Sequence, residues 1–378
     1  MNRPSLLPPG IGTTRCVPVR LVVIVLALFL AGDPARAQLV DPEKGTRDGS
    51  PLDDLPPHIT LVTDAGMRPD WSPNGDALLY LDRSPLGDVW EIDVETRETR
   101  QLTGHFAHRG FTRAQYLENG DVLLCGPTSG PLPTAARPEA GRFTGVLSVL
   151  RTGKRLRPPQ ALGISCWEGV VASRKAMRIA WNRSDIDYTD DDLVGRVLGG
   201  ISELWTGRIR FLGGRATLVD VAQRADRTAV SPIAVLEAQA FRPRGEDELV
   251  FTAYAYQGGE VMGLDLATGT VRNYSNSPVY EEVEGISPEG DWALVERDLE
   301  STAVPGPLDV WRLSLDGRST WERLTYFNRY RGGYYASNPT VHPSGRRFAF
   351  QLSIDGPTEG EGRGLLVFDL EHYTNPPP

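Results

Sequence analysis

Arg68, Arg113, Trp167, Glu168, Glu237, Glu282 and Asn338 stand at matched places, three or four residues ahead of a turn that recurs along the chain. If the copies surround an axis, two guanidinium groups meet three carboxylates, with an indole and an amide beside them. Arg would grip an anionic or hydroxyl group in a two-point fork, the carboxylates would accept hydrogen bonds, and Trp167 would stack on a sugar-like face. In a catalytic site, Glu168, Glu237 and Glu282 would supply the acid and base. The competing reading of the same charges is ion pairing between neighbouring repeats, which fixes packing and binds nothing.

Other chemistry is thinner. Asp185, Asp187, Asp190, Asp191 and Asp192 bring enough oxygen together for Ca²⁺, but the Gly and Glu of a twelve-residue calcium loop are missing, which favours a solvated acidic loop. His105 and His108 are the one close His pair, and no third ligand accompanies them, so no metal site is expected. Tyr330, Arg331, Tyr334 and Tyr335 lead into the last repeat, as packing caps or as ligand contacts. No Gly-x-Ser-x-Gly elbow, His-Glu-x-x-His, phosphate loop or dinucleotide fingerprint occurs, so the common hydrolase, zinc-protease and nucleotide chemistries have no support. Beyond Ca²⁺ near Asp185–Asp192, no cofactor is expected.

The elements that must hold these residues are set by the turn. Its copies are Trp71-Ser-Pro-Asn-Gly-Asp76, Tyr116-Leu-Glu-Asn-Gly-Asp121, Phe241-Arg-Pro-Arg-Gly-Glu246, Ile286-Ser-Pro-Glu-Gly-Asp291 and Val341-His-Pro-Ser-Gly-Arg346, with a degenerate one at Val171-Ala-Ser-Arg-Lys-Ala176. An apolar strand follows each, as in Ala77-Leu-Leu-Tyr-Leu81. A third follows, as in Asp309-Val-Trp-Arg-Leu-Ser-Leu315, and then a polar fourth, as in Trp321-Glu-Arg-Leu-Thr325. Alternating apolar and polar residues broken by Gly, Asn, Asp and Pro indicate strands and hairpins, and each interval holds four of them. The expected fold is all-β, a six-bladed β-propeller over residues 58–371. The last copy lacks a fourth strand, and His58-Ile-Thr-Leu-Val-Thr63 matches the missing one, so the N-terminal strand should close the final blade. Residues 38–57 read as a linker and 372–378 as a flexible tail.

Of 378 residues, 40% are hydrophobic and 24% charged, with 40 Gly and 30 Pro, a globular composition rich in turns. Residues 1–37 have the parts of a secretory signal: Arg3, Arg15 and Arg20, the apolar run Leu21–Ala31, and Ala35-Arg36-Ala37 before Gln38. The apolar run is shorter than the roughly 20 residues a spanning helix needs. Four Arg and one Asp fall in that segment, so the remaining 341 residues carry 36 basic and 48 acidic side chains, net −12. Such a surface disfavours nucleic acid and anionic lipid as general partners. Cys125 and Cys166 remain, as a disulfide or as two buried thiols.

The Ser-Pro-x-Gly turns with their apolar strands and Leu-Thr ends, clearest over Trp71–Thr103 and Ile286–Thr325, resemble the periplasmic and secreted TolB-type propellers. Glu237-Ala-Gln-Ala-Phe-Arg-Pro243 and Ala336-Ser-Asn-Pro-Thr340 are similar to a bacterial branch of that group. The resemblance implies a fold and a periplasmic or secreted location, and it brings no catalytic motif. The expected function is a monomeric binding or protein-interaction module at the cell envelope, with a polar-ligand pocket at the channel mouth between the inter-blade loops. The alternative is a carbohydrate-active enzyme, a polysaccharide lyase or glycoside hydrolase, using the channel carboxylates. The His metal ligands of oligogalacturonate lyases are not found, and no α/β-hydrolase half lies within the 378 residues to support a serine peptidase.

Overall fold

The computed structural model describes residues 39–130, 132, 134, 140–153, 156–167, 169–186, 193–302, 305–355 and 362–374. Their strands form six four-stranded antiparallel sheets. Blade 1 is Met67–Trp71, Ala77–Leu81, Val89–Asp93 and Thr99–Gln101; blade 2 is Arg113–Tyr116, Val122–Pro127, Gly145–Leu150 and Gln160–Cys166. Blade 3 is Val170–Ala172, Arg178–Ser184, Ser202–Leu212 and Arg215–Asp226; blade 4 is Val235–Phe241, Glu248–Tyr254, Gly259–Asp265 and Val271–Asn273. Blade 5 is Tyr280–Ile286, Trp292–Asp298, Asp309–Ser314 and Trp321–Arg323. Blade 6 takes Tyr334–Val341, Arg347–Ile354 and Leu365–Asp369 from the C-terminal end and Ile59–Thr63 from the N-terminal end, with Ile59 opposite Phe368. The closure expected from His58–Thr63 is therefore present. First strands abut one another all round the ring, and the Trp71 indole of blade 1 donates to Thr340 O of blade 6 at 3.1 Å.

In the two Ser-Pro copies the turn works through its serine. Ser72 Oγ accepts from Ala77 N at 3.0 Å, and Ser287 Oγ accepts from Asp291 N and Trp292 N at 3.1 and 3.2 Å. Gly75 has φ +83°, and a Cβ there would meet the His342 ring of the neighbouring blade at 2.2 Å. A second recurring device ties third strand to fourth. Thr103 donates to Asp88 at 2.7 Å and accepts from Val89 N, Ser275 does the same between Glu260 and Val261, and Thr325 between Asp309 and Val310. The Leu-Thr ends read from sequence are the hydroxyl half of that clasp.

Apolar faces of adjacent blades close on each other. Phe348, Phe350 and Phe368 of blade 6 pack with Leu294 and Val310 of blade 5, each fully buried, and each such side chain contributes about 1.5–3 kcal/mol. Residues 38–57, expected as a linker, hold described contacts with blades 5 and 6. Buried Asp41 receives Arg323 at 3.0 Å and Asn328 at 2.8 Å, Lys44 pairs with Glu300 at 2.8 Å, and Leu52 and Leu55 pack on the blade 6 core. Arg323 also binds the clasp acid Asp309 at 2.8 Å, which fastens the segment to the base of blade 5.

Cys125 and Cys166 form a disulfide, Cα to Cα 6.3 Å, from the second to the fourth strand of blade 2. The bridge passes over the third strand at Gly145, where a Cβ would lie 2.5 and 2.7 Å from the two sulfurs. Of the acidic run, Asp185 is described, and its carboxylate accepts from Ile201 N at 2.7 Å. Asp187, Asp190, Asp191 and Asp192 lie outside the described residues, as do residues 1–38 and 375–378. No described helix is long and apolar enough to cross a membrane.

Candidate functional site

The channel is built on irregular inner strands. Blades 1, 4, 5 and 6 each carry one extra residue in the first strand, at Arg68–Pro69, Gln239, Glu284 and Asn338–Pro339, whereas the register in blade 2 runs unbroken. Each bulge changes which residues face the axis. Arg113 faces it from blade 2, Glu237 and Gln239 from blade 4, Glu282 and Glu284 from blade 5, and Asn338 from blade 6. Ala238 and Val283, aligned with Arg113 in sequence, are buried in the blade cores instead.

Arg113 is the hub of this cluster. Its guanidinium, with a side chain 10% exposed, reaches Glu237 at 3.3 Å, Glu284 at 3.6 Å and Asn338 Oδ1 at 3.4 Å. Tyr254 donates to Glu237 at 2.8 Å, Tyr280 to Glu282 at 2.5 Å, and the Gln239 amide to Glu282 at 3.4 Å. Glu296, from the second strand of blade 5, stands directly opposite Glu282 and accepts from both the backbone and side-chain amides of Asn338.

Opposed carboxyls in a dry wall do not both ionise readily. Burial pushes Glu282 above the ordinary carboxylate range and Glu284 pushes it further, against the pull of the Tyr254 and Tyr280 hydroxyls and Arg113. Burial pushes Glu296 well above that range, reinforced by Glu282 and Glu284. Burial and these carboxylates hold Tyr254 and Tyr280 protonated, well above the phenol range. Next along the strand, burial raises Glu281 to about 7 despite Arg297 at 2.9 Å.

These shifts fix a pH dependence. A carboxyl raised in the fold holds a proton that the unfolded chain releases near 4.5, so its stabilisation is complete below that pH and is lost as pH rises through the folded value. Melting temperature should therefore fall between pH 5 and pH 8, and Glu281→Gln, which cannot ionise, should flatten that fall. A wild-type melting temperature that holds level or rises over this interval would contradict the buried-acid assignment.

A cavity of about 270 Å³ occupies the channel. Its floor is Arg113, Gln115, Gln239, Glu284 and Asn338; its wall is Trp71, Tyr116, Phe241, Ile286 and Val341; its rim is the turn prolines Pro73, Pro243, Pro288 and Pro343 with Arg174 and Lys175. Arg174 pairs with Asp70 and donates to Trp71 O at 3.3 Å. The cavity thus reaches the first-to-second-strand turns, on the face opposite the inter-blade loops where the sequence placed the mouth.

All the sequence candidates but Glu168 have a described place. Arg113, Glu237, Glu282 and Asn338 share one network, with Arg113 and Asn338 also in the cavity floor. Arg68 stands on its bulge at φ +52°, its side chain half-buried and its backbone N–H donating to Gln351 at 2.6 Å. Trp167 is buried, stacked on Phe143 at 5.0 Å, with its N–H donated to Ile186 O, so the face expected to stack on a sugar packs on protein. Glu168 lies outside the described residues. Sequence reasoning missed Gln239, Glu284, Glu296, Tyr254 and Tyr280. A search for pairs two residues apart, Glu237 with Gln239 and Glu282 with Glu284, would have found the first two.

On the inter-blade face, His108 Nδ1 accepts from Gly110 N at 2.9 Å and Nε2 faces Asp88 at 2.9 Å, so both ring nitrogens are engaged. Tyr330 is buried under Arg47, whose guanidinium lies 5.2 Å from its ring. Among the described residues no group of three His, Cys, Asp or Glu is placed to hold a metal.

No protein-family model matches the chain, and no curated protein does. Solved structures do. The β-propeller domain of the Trilobed protease from Pyrococcus furiosus is 10% identical, covering 83% of each chain with a TM-score of 0.45. An oligogalacturonate lyase in complex with manganese is 11% identical over 83% of this chain and 91% of its own, TM-score 0.45. TolB from Acinetobacter baumannii is 13% identical over 81% of this chain and 67% of its own, TM-score 0.38. With six four-stranded blades and a last sheet built from both ends of the chain, the protein is a six-bladed β-propeller.

Proposed function

We propose that this protein is an exported binding module of the cell envelope, periplasmic or secreted and monomeric, that holds a polar group of a ligand or protein partner in the turn-face cavity. The observation that supports this is the cavity's make-up, an apolar wall over a floor of Arg113, Gln115, Gln239, Glu284 and Asn338, with Lys175 exposed at the rim. Apolar walls with a few convergent polar groups are the usual form of a recognition pocket. With Arg113 engaged by Glu237 and Glu284, the floor amides of Gln115, Gln239 and Asn338 and the Glu284 carboxylate suit hydroxyl and amide groups, as on a sugar or a peptide, and Lys175 at the rim suits a carboxylate beside them. The test is a thermal-shift screen of residues 38–378 against sugars, uronic acids and short peptides with free C-termini. A ligand at about 100 times its Kd adds roughly 2.7 kcal/mol. A compound that raises the melting temperature should lose that effect in Gln239→Leu and weaken in Lys175→Glu.

A second reading, a carbohydrate-active enzyme, draws on Glu282, which burial and Glu284 bias toward its acid form beside Arg113. It expects release of unsaturated or reducing ends from polygalacturonate or a related polysaccharide, abolished by Glu282→Gln in a variant that still melts cooperatively. The binding reading expects no turnover.

A further inference from the structure

We propose that the outer edge of blades 2 and 3 is a docking surface for an acidic, extended polypeptide segment. After residue 37 the chain is net −12, yet residues 151–157 and 207–219, the third-to-fourth-strand turns of these blades with their flanks, contain no Asp or Glu. Arg157, Arg208, Arg210 and Arg215 are exposed there, and Arg151, also exposed, is paired with Asp121 at 2.8 Å. In an antiparallel meander such turns emerge on one face, and Arg151 sits 4.3 Å from the ring of Phe211, which joins the two.

The hairpin is held out as an arm. Its third strand pairs with the second only as far as Arg178 opposite Arg208, and the strands run on to the Gly213–Gly214 turn by themselves. Ile209 and Ala216 are buried against Leu147 and Val149 of blade 2, so Arg208 and Arg210, alternating with Ile209, point outward. Their charge is little spent. Both share Asp220 at 3.8 and 4.0 Å while 49% and 61% exposed, and Arg157 and Arg215 make no ion pair among the described residues. Burial and the cations of Arg224 and Arg208 lower the adjacent Arg178 guanidinium, against the pull of Glu246.

Alternate residues of a strand lie about 6.6–6.8 Å apart on one side, the repeat of alternate side chains in a facing extended segment. Each guanidinium can take a carboxylate as a two-point fork. A segment with Asp or Glu at alternate positions therefore matches Arg208 and Arg210, and the acidic remainder of the body keeps it on this edge. A bilayer fits less well, because Leu212 is the one exposed apolar side chain at the tip and a flat anionic surface would also face acidic blades. None of these arginines lines the central cavity, so this surface stands or falls independently of it.

The test measures fluorescence anisotropy of a labelled peptide of alternating Glu and Thr added to residues 38–378. Salt is set at about 0.01 M and about 0.15 M, where screening shortens from about 30 to about 8 Å. Binding is expected at low salt, weakened at the higher salt, and reduced about tenfold or more in Arg208→Glu/Arg210→Glu. Arg244→Glu/Arg318→Glu, the same charge change at residues 70% and 82% exposed elsewhere, should bind as wild type. Cooperative melting of both variants confirms that they fold. No binding, equal loss in the two variants, or binding to phosphatidylglycerol vesicles that the peptide does not compete would overturn the proposal.

Discussion

Replacing Arg113 by Met is expected to destabilise the protein by about 3–5 kcal/mol at pH 8, the cost of breaking a buried pair from one side. Arg113 bridges carboxylates of blades 4 and 5 and the Asn338 amide of blade 6. Without its charge, Glu237 and Glu284 remain in a wall that already contains the opposed pair Glu282 and Glu296. The structure has two ways to respond, repulsion across the channel or uptake of protons, and both are costly at pH 8. Part of the loss should return at pH 5, where protons discharge the cluster. The double variant Arg113→Met/Glu284→Gln should be less destabilised than the sum of the single changes, because one orphaned charge goes with its partner. Urea unfolding midpoints at the two pH values measure all of this. A loss under about 1 kcal/mol at pH 8 would mean that Arg113 is a solvated rim charge.

The second large effect is expected at the Cys125–Cys166 bridge. It closes a loop with sequence separation 41, for which the chain-entropy relation gives about 4 kcal/mol. Reduction under native conditions, or Cys125→Ala/Cys166→Ala, should therefore lower the melting temperature by several degrees. Gly145→Ala should act on the same element while both cysteines remain, by placing a methyl group against both sulfurs. An unchanged melting temperature with both thiols shown to be free would exclude a stabilising bridge. Loss of stability on reduction also fits an exported protein, since such bridges persist in oxidising compartments.

What could be read from the sequence, and what could not, follows from where the physics is local. The turns are local: Ser72 and Ser287 each close their own hairpin, so the turn copies and the closing strand at Ile59–Thr63 were legible in the sequence. The pairing of Cys125 with Cys166 was open, because it depends on the neighbouring strand presenting Gly145. The channel was legible only in part. Aligning copies on their turns assumes equal phase in every blade, and the bulges at Gln239 and Glu284 break that phase, which hid two floor residues. Glu296 enters from a second strand, where no alignment of first strands would find it. The cavity's position on the turn face was likewise invisible, since it depends on five apolar side chains and four prolines leaving space between them.

The most direct measurement uses the scarcity of lysine, for the chain has only Lys44, Lys154 and Lys175. Lys175 is exposed at the cavity rim, and Lys44 is tied to Glu300 at 2.8 Å, far from the channel in the fold, as an internal control. Residues 38–378 would be labelled with an amine-reactive reagent, with and without the screened compound that gives the largest thermal shift, and the modification of each lysine read by mass spectrometry. Binding in the turn-face cavity protects Lys175 and leaves Lys44 unchanged. A thermal shift with Lys175 as reactive as before, or no shift from any sugar, uronic acid or peptide in the panel, would contradict a ligand held at Arg113, Glu284 and Asn338.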